Sequence, residues 1–600
     1  MKRERSSVRN IAIIAHVDHG KTTMVDQLLR QSGTLQQVDS ERVMDSGDIE
    51  KERGITILAK NTGFTYQGYS VNLVDTPGHT DFGGEVERTL QQVEGFLLLI
   101  DAAEGVLPGT RFVLQKALQL KLDPIVVINK IDRPDAAIEA TEAQVSDLFL
   151  DLAIEDSQLD FPLLYGSSRF GFVSKDPEAR SGDMQPLFEA IINHIRPPVE
   201  QENYLQFLVT SLDYSDFLGV LGIGRVFNGE MAVGDLVVCS KDGVQSKPMR
   251  LTKIFTFVGL SRVEVEKASF GDIVVVAGFS DNLSIGTTVC SPDAVVPYPY
   301  VSIDEPTLSL YMSVNNSPFN GRDGNLLTSR QIRARLDKEL KVNVALKVED
   351  TSSPEVFKIS GRGQLHLGIL AETMRREGFE FQLSSPEVIY KTIDGVKQEP
   401  IELVVIDVPS EYQGAVMENL CQRKGELQHM HVYADDRIRL EFKVPSRALL
   451  GFRSQFLTET RGTGLVTMSF HGYEPYKGDV AVRVKGALIS MEAGMATGYA
   501  LDNLQVRGVL FIRPGDEVYE GMIIGENSRN MDMDVNPCKA KKLTNMRASG
   551  TDEAIKLTPP YVMTLEQCME WIRPDELIEV TPHHIRLRKK TLRAGMRKKD

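Results

Sequence analysis

Basic charge is the first thing the sequence lacks. Over 600 residues, 68 Lys and Arg stand against 83 Asp and Glu, a formal net charge of −15. A general polyanion binder carries the opposite balance, so the net charge argues against broad affinity for nucleic acid. Cysteine is scarce as well. Its five residues are scattered, with no CxxC pair, which argues against a disulfide framework or a zinc site and for reduced thiols in a cytoplasmic setting. No apolar run is long enough to span a bilayer. The opening MKRERSSVRN is charged and leads straight into an expected strand, so it does not read as a signal peptide. With 42% hydrophobic and 25% charged residues, the chain reads as soluble and globular. It is too long for one core, and a prior of about 150 residues per domain suggests about four domains.

What is present concentrates near the start. In NIAIIAHVDHGKTTMVDQLL, residues 10–29, Ile11 to Ile14 read as a buried strand, and Val25, Leu28 and Leu29 share one helical face. Between them the chain must turn sharply. The P-loop pattern G-x-x-x-x-G-K-[ST] asks for a backbone that wraps a phosphate in N–H groups ahead of a helix N-terminus. Gly20, Lys21 and Thr22 fit it, with Ala15 rather than Gly at the first position. Lys21 is placed to reach β- and γ-phosphates, and the Thr22 hydroxyl to ligate Mg²⁺. Alone, the motif leaves kinases, ATPases and GTPases open, and a chance Gly-Lys-Thr turn with them.

Four companions narrow the class. DTPGH (75–79) follows the strand-like VNLV. Asp75 at that strand end can hold Mg²⁺ through water, and Gly78 can offer its N–H to a γ-phosphate. NKID (129–132) follows PIVVI, and its Asn129 and Asp132 suit guanine. A carboxylate accepts two hydrogen bonds from the N1–H and N2–H₂ edge and would stand unpaired against adenine. RGITI (53–57) brings Thr56, a second Mg²⁺-ligating hydroxyl on a loop, and YGSSRFG (165–171) follows FPLL and can close over the base with backbone N–H groups. Each string is weak singly. Five in this order, each at a strand end where open α/β sheets bind ligands, point to GTP.

AHVDHGKTT, RGITI, DTPGH and NKID together resemble the translational GTPases, the family of elongation factors G and Tu. The resemblance implies that His79 positions the attacking water where Ras-like proteins use a Gln; without it, His79 reads as an ordinary loop histidine. It also implies an apolar gate of Val17 and Ile55 that restrains His79, and a charge-binding role for Asp18 near the β/γ bridge. The implied GTP-binding set is Asp18, His19, Gly20, Lys21, Thr22, Thr23, Gly78, Asn129, Lys130, Asp132 and Ser167. Thr22, Thr56 and, through water, Asp75 hold the Mg²⁺. Ser167-Ser168 departs from the Ser-Ala common in the family.

Past the Pro-containing break IRPPVE (195–200) the pattern changes to short alternating strands with Gly turns, as in VLGIGRVFNGEMAVGDLVV, which reads as a β-barrel. EPTLSLYMSV (305–314) and EPIELVVIDVPS (399–410) each begin with Glu-Pro, run into a strand and lead to a helix-like segment, suggesting two ferredoxin-like α+β modules. GRGQLHLGIL (361–370) in the first resembles a stretch of elongation factor G, with Gln364 in place of Glu. That factor carries a tRNA-pushing domain between the two modules. Here the first ends near Tyr390 and the second begins near Glu399, so the chain is not an ordinary translocase. LISMEAGMATGYALDNLQVRGVLFIRPGDEVYEGMIIGENSR (488–529) reads as a compact β-rich domain and resembles the carboxy-terminal domain of the BipA (TypA) family.

The expected architecture is multidomain α/β and β: a GTP-binding P-loop domain at 1–200, a β-barrel domain at 201–300, ferredoxin-like modules at 301–392 and 393–480, and a BipA-type C-terminal domain at 481–600. The resemblance implies a ribosome-dependent GTPase. It would bind between the subunits of the 70S ribosome and serve large-subunit (50S) assembly and stress or cold adaptation. Its implied contacts are rRNA and A-site tRNA and no membrane, with a monomer off the ribosome, in the cytoplasm of a bacterium or an organelle of bacterial descent. An elongation-type factor or a ribosome protection factor acting on the A site is the alternative. Residues 481–600 hold 19 Lys and Arg against 16 Asp and Glu, leaving −18 for the first 480. Their basic runs read either as solvated tails or as RNA contacts through Lys539, Lys541, Lys542 and Arg547.

The base-reading role of Asp132 yields a direct expectation. Asp132→Asn should shift preference from guanine to xanthine, whose carbonyl replaces the N2 donor and suits an amide. Competition binding with GTP and XTP measures it, and a variant that still prefers GTP removes the role.

Overall fold

The computed structural model describes residues 3–16, 18–34, 48–53, 56, 59–77, 83–279, 283–300, 306–343, 345–432, 436–480, 483, 485–540 and 556–597. The chain forms two units, Met1–Asp304 with Lys338–Ala345, and Glu305–Asp337 with Leu346–Asp600. No helix among the described residues is long and apolar enough to cross a membrane.

The run read as a buried strand is β1 (Val8–Ala15), buried along its whole length. There follow α1 (Lys21–Gln31), β2 (Lys60–Tyr66), β3 (Tyr69–Asp75), α2 (Gly83–Leu90), β4 (Gly95–Asp101), α3 (Pro108–Gln119), β5 (Asp123–Asn129), α4 (Ile138–Leu152), β6 (Leu163–Ser167), β7 (Phe172–Ser174) and α5 (Gln185–His194). They build a seven-stranded sheet of order β2-β3-β1-β4-β5-β6-β7. The strands β3, β1, β4, β5 and β6 run parallel, with antiparallel strands at both edges. Parallel strands covered on both faces need near-continuous apolar sequence, which Phe96–Ile100 and Ile125–Ile128 supply. One face packs on α1 and α5 through Met24, Leu28, Leu187 and Phe188. The other packs on α2, α3 and α4 through Val86, Leu114, Val145 and Phe149. Because the central strands are parallel, the loops after β1, β3, β4, β5 and β6 all leave the same edge.

The expected barrel is a nine-stranded antiparallel sheet from Gln206–Ser215 to Thr288–Cys290. Its core holds Phe207, Val226, Ile254, Val276 and Val289. It is locked to the first domain by buried polar groups. Arg225 pairs with Glu94 and donates to the Gln92 carbonyl at 2.9 Å. Asn10 Nδ2 donates to both Glu94 Oε2 and the Gly271 carbonyl at 3.0 Å. Burial pushes the Glu94 carboxyl up, and Arg225 and Asn10 oppose that. The β2 strand is held as well: Gly259 N–H donates to Gly63 O at 2.7 Å, and Thr62 Oγ1 donates to Gly259 O at 2.6 Å. Gly63 is required there because a Cβ would run into the Phe257 carbonyl.

In the second unit, β8 (Leu308–Val314), α6 (Ser329–Val342), β9 (Lys347–Asp350), β10 (Val356–Gly361), α7 (Gln364–Arg376) and β11 (Phe381–Ser384) give the βαββαβ order of a ferredoxin-like module. The same order recurs in β12 (Val396–Pro409), α8 (Gln413–Gln422), β13 (Glu426–Val432), β14 (Arg437–Pro445), α9 (Phe452–Glu459) and β15 (Leu465–Pro475). Both sheets place the first strand between the third and the fourth. The remaining strands include β16 (Ala487–Ser490), β17 (Met522–Asn527), β18 (Glu576–Val580) and β19 (Ile585–Lys589). They do not form a sheet of their own. The first module's β11 pairs antiparallel with β18, and the order β9-β10-β8-β11-β18-β19-β17-β16 runs through a single eleven-stranded sheet. Below this seam, Glu579 accepts from Tyr519 Oη at 2.7 Å and from Arg586 at 3.1 Å, and Arg588 reaches Gln382 and Asn316.

This seam has a measurable weight. Ile578 is fully buried opposite Leu383 on β11. Ile578→Ala should destabilise the second unit by about 2–5 kcal/mol, the cost of a buried large-to-small change. In a denaturant titration the second unit's transition should move to lower concentration while that of the first stays in place.

Candidate active site

The edge of the parallel sheet gathers the residues singled out above. Gly20 caps α1 with φ of 95°, a left-handed conformation natural to glycine. A Cβ there would also overlap the Asn129 amide. No side chain caps α1, and its first turn carries no acidic residue, so its N–H groups and dipole stay available to an anion. Thr22 and Thr23 occupy that first turn, half-buried. Asp18 is exposed with φ of 66°, and His19 is fully buried.

Lys21 Nζ lies 2.9 Å from Asp75 Oδ1 and donates to the Thr76 carbonyl. Thr56 Oγ1 donates to Asp75 Oδ2 at 3.4 Å. Thr76 Oγ1 donates to the Ile13 carbonyl at 2.7 Å, which pins the start of the loop after β3 against β1. One buried carboxylate, the Thr56 hydroxyl and an ammonium therefore meet at the head of α1. Hard oxygens in small number suit Mg²⁺, which keeps several waters and substrate phosphates in its shell.

The groups expected at the base divide their work. Asn129 is fully buried. Its Nδ2 donates to the His19 carbonyl at 2.8 Å, and its Oδ1 accepts from Ser168 N–H and Oγ at 2.9 and 3.0 Å. It thus ties the loops after β1 and β6 to the end of β5, and both ends of its amide are engaged. Asp132 is half-buried, and its Oδ1 is shut off from solvent with no hydrogen-bond partner among the described residues. A buried acceptor left open has a high cost unless a donor arrives. Lys130 sits at φ of 61° with Nζ 2.7 Å from Asp101 Oδ2. Ser167 is fully buried. The stretch read as a loop over the base is partly strand, since β6 continues through Tyr165, Gly166 and Ser167. The loop proper begins at Ser168, whose N–H and Oγ are both engaged by Asn129.

Val17, Ile55, Gly78 and His79 lie outside the described residues, as do Lys541, Lys542 and Arg547. Lys539 is exposed, and its carbonyl accepts from Thr497 Oγ1 at 2.7 Å. Two participants were not singled out from sequence, Thr76 and Asp101, and Ser168 was noted only as a departure from the family's Ser-Ala. Asp101 carried a usable signal, since it ends the apolar run FLLLI as Asp75 ends VNLV. Burial pushes its carboxyl up, but Lys130 and the Ala103 N–H outweigh this and hold it below the usual range. The neighbouring Glu104 is held low by His19 against its own burial.

Comparison with known proteins gives the family. Residues 6–197 match the elongation factor Tu GTP binding domain, 207–292 elongation factor G domain 2, 396–484 the elongation factor G C-terminus and 485–594 the TypA/BipA C-terminal domain. The chain is 51% identical over 599 residues to the large ribosomal subunit assembly factor BipA of Bacillus subtilis, covering 99% of this chain and 98% of that one. The chain belongs to the BipA family. Members of the same name from Synechocystis, at 51% over 97% of this chain and 98% of theirs, and from Salmonella typhimurium, at 50% over 99% and 98%, match equally throughout. A crystal structure from Thermus thermophilus shares the fold with a TM-score of 0.54 at 16% identity, covering 79% of this chain and 98% of that one. As a BipA-family member with this GTP-binding domain, the chain is a GTPase.

Gly20 carries the sharpest local test within this BipA-family site. Gly20→Ala adds left-handed strain of about 1–2 kcal/mol and an overlap with the Asn129 amide. Affinity for GTP and GDP should fall by about tenfold or more, read with a fluorescent nucleotide analogue, while the thermal transition of the second unit is unchanged.

Proposed function

We propose that the chain is a ribosome-dependent GTPase that serves assembly of the large ribosomal subunit, with GTP hydrolysis as the switch that releases it. The single observation carrying this reading is full-length likeness to proteins named for that assembly role; the open, buried Asp132 Oδ1 at the base loop suits it. In this reading Asp132 accepts the guanine N1–H and N2–H₂ donors. Asn129, Ser167 and Ser168 hold the loops around the base, and Lys130 flanks it. Gly20, Lys21, Thr22, Thr23 and the α1 N-terminus cradle the β- and γ-phosphates, with Asp18, His19 and Gly78 alongside.

Mg²⁺ would be held by Thr22, Thr56 and, through water, Asp75, and when bound it neutralises charge on the β- and γ-phosphates. Lys21 now pairs with Asp75; with phosphate present its ammonium turns to the γ-oxygens, freeing the carboxylate. Thr56 then senses the γ-phosphate state, because the loop it sits on orders around that group and relaxes on hydrolysis. The β2 strand that follows is fastened to the barrel at Gly63 and Gly259, which limits how far relaxation travels. His79, behind the gate of Val17 and Ile55, orients the water. Ribosome contact falls to the C-terminal region, where Lys539, Lys541, Lys542 and Arg547 meet rRNA or A-site tRNA. The protein works in the cytoplasm as a monomer between ribosomal encounters and responds to cold or other stress.

The test is His79→Ala. It should keep nucleotide affinity and lose about 10²–10⁴ of the ribosome-stimulated rate in single-turnover hydrolysis. Cells carrying only this variant should accumulate incomplete large subunits in sedimentation profiles. Full stimulated turnover together with a normal subunit profile removes the proposal.

A further inference from the structure

Behind the base-reading loop lies a connected charged cluster centred on Asp101, a residue given no role so far in holding the nucleotide. Asp101 closes β4 and is fully buried. Its Oδ2 meets Lys130 Nζ at 2.7 Å and Arg133 Nη1 at 3.2 Å, and its Oδ1 accepts from Ala103 N–H at 2.8 Å. Its own N–H faces His19 Nδ1 at 3.3 Å. His19 Nε2 in turn lies 3.5 Å from Glu104 Oε2, and Glu104 Oε1 lies 3.7 Å from Arg133.

The backbone at Asp101 is fastened on both sides. Ala102 N–H donates to the Asn129 carbonyl at 2.9 Å, and the Ala102 carbonyl accepts from Ala137 N–H at 2.8 Å and from Thr141 Oγ1 at 3.1 Å. Gly105 N–H returns to the Asp101 carbonyl at 2.9 Å. A fixed carboxylate therefore grips the residues on either side of Ile131 and Asp132.

That grip has work to do. Lys130 stands at φ of 61°, a left-handed conformation that strains any residue with a side chain, and this turn sets the direction in which Asp132 leaves the strand end. A charge-assisted bond to the buried Asp101 carboxylate opposes that strain. We infer that Asp101 is a positioning residue for base recognition: by holding Lys130 and Arg133 it aims the Asp132 carboxylate at the guanine edge. The inference rests on the reading of Asp132 as the base-reading group.

The discriminating experiment compares GTP with ITP, whose base lacks the 2-amino group. In the unaltered protein, losing one charge-assisted hydrogen bond should weaken ITP relative to GTP by about tenfold to a hundredfold. Asp101→Asn should bring that ratio to within about threefold, because a misaimed carboxylate no longer profits from the second donor. Lys130→Gln, at a partly exposed position, breaks the same pair from the other side and stands in if the buried change prevents folding. It should lower the ratio likewise, and the double variant should lower it no further. Contacts of Lys130 with the ring itself act on both nucleotides equally and cancel. If both variants weaken GTP and ITP by one common factor and leave the ratio intact, Asp101 is a support of the fold only, and the inference is overturned. If the unaltered protein binds GTP and ITP alike, the base-reading role of Asp132 fails first and takes the inference with it.

Discussion

The carboxamide of Asn129 is the constraint on which the candidate site depends. It is fully buried, so both its donor and its acceptor must be matched by protein. They are matched by groups on two other strand-end loops, the His19 carbonyl and Ser168. Shortening this side chain would leave those groups unpaired as well, at about 1–3 kcal/mol each. Because β1, β5 and β6 are held in parallel register, a tie between their ends fixes the phosphate loop and the base loop as one object. The glycine at position 20 follows from the same tie, since the Asn129 amide occupies the space a Cβ would need.

Buried polar groups set the joints elsewhere too. Between the first domain and the barrel, Glu94, Arg225 and Asn10 satisfy one another out of water. Removing one partner strands a charge in a dry interface, typically at about 3–5 kcal/mol. In the second unit the joint is a β-ladder. The outer strand of a ferredoxin-like module would be an exposed edge if left alone, a liability for association. Here β11 is covered by β18, so the C-terminal strands are built onto the first module. The second module is a chain excursion between two parts of that composite body, leaving after β11 and returning before β16.

Function enters through the contrast between satisfied and open groups. Nearly every charged group around the base loop is paired: Asp101 with Lys130 and Arg133, and Glu104 with His19. Among the described residues, Asp132 Oδ1 is a buried carboxylate oxygen at that loop with no hydrogen-bond partner. A buried carboxylate oxygen left open beside a loop whose other charges are paired suits a donor from outside, and a guanine edge carries such donors.

The sequence alone determined the central sheet, the strand-end positions of Lys21, Asp75 and Asp132, the two βαββαβ modules and the family. These are local facts. Buried parallel strands must be apolar throughout, and phosphate and base loops must carry glycine, lysine and carboxylate at set offsets. Tertiary structure decided what those residues touch. That Asn129 ties loops together, that Asp101 holds Lys130, and that β18 completes the first module's sheet all depend on partners distant in sequence. No periodicity encodes such pairings: a buried Asp at the end of an apolar strand looks the same whether it faces a lysine, a metal or a base. Only the folded backbone brings its partner within hydrogen-bonding distance.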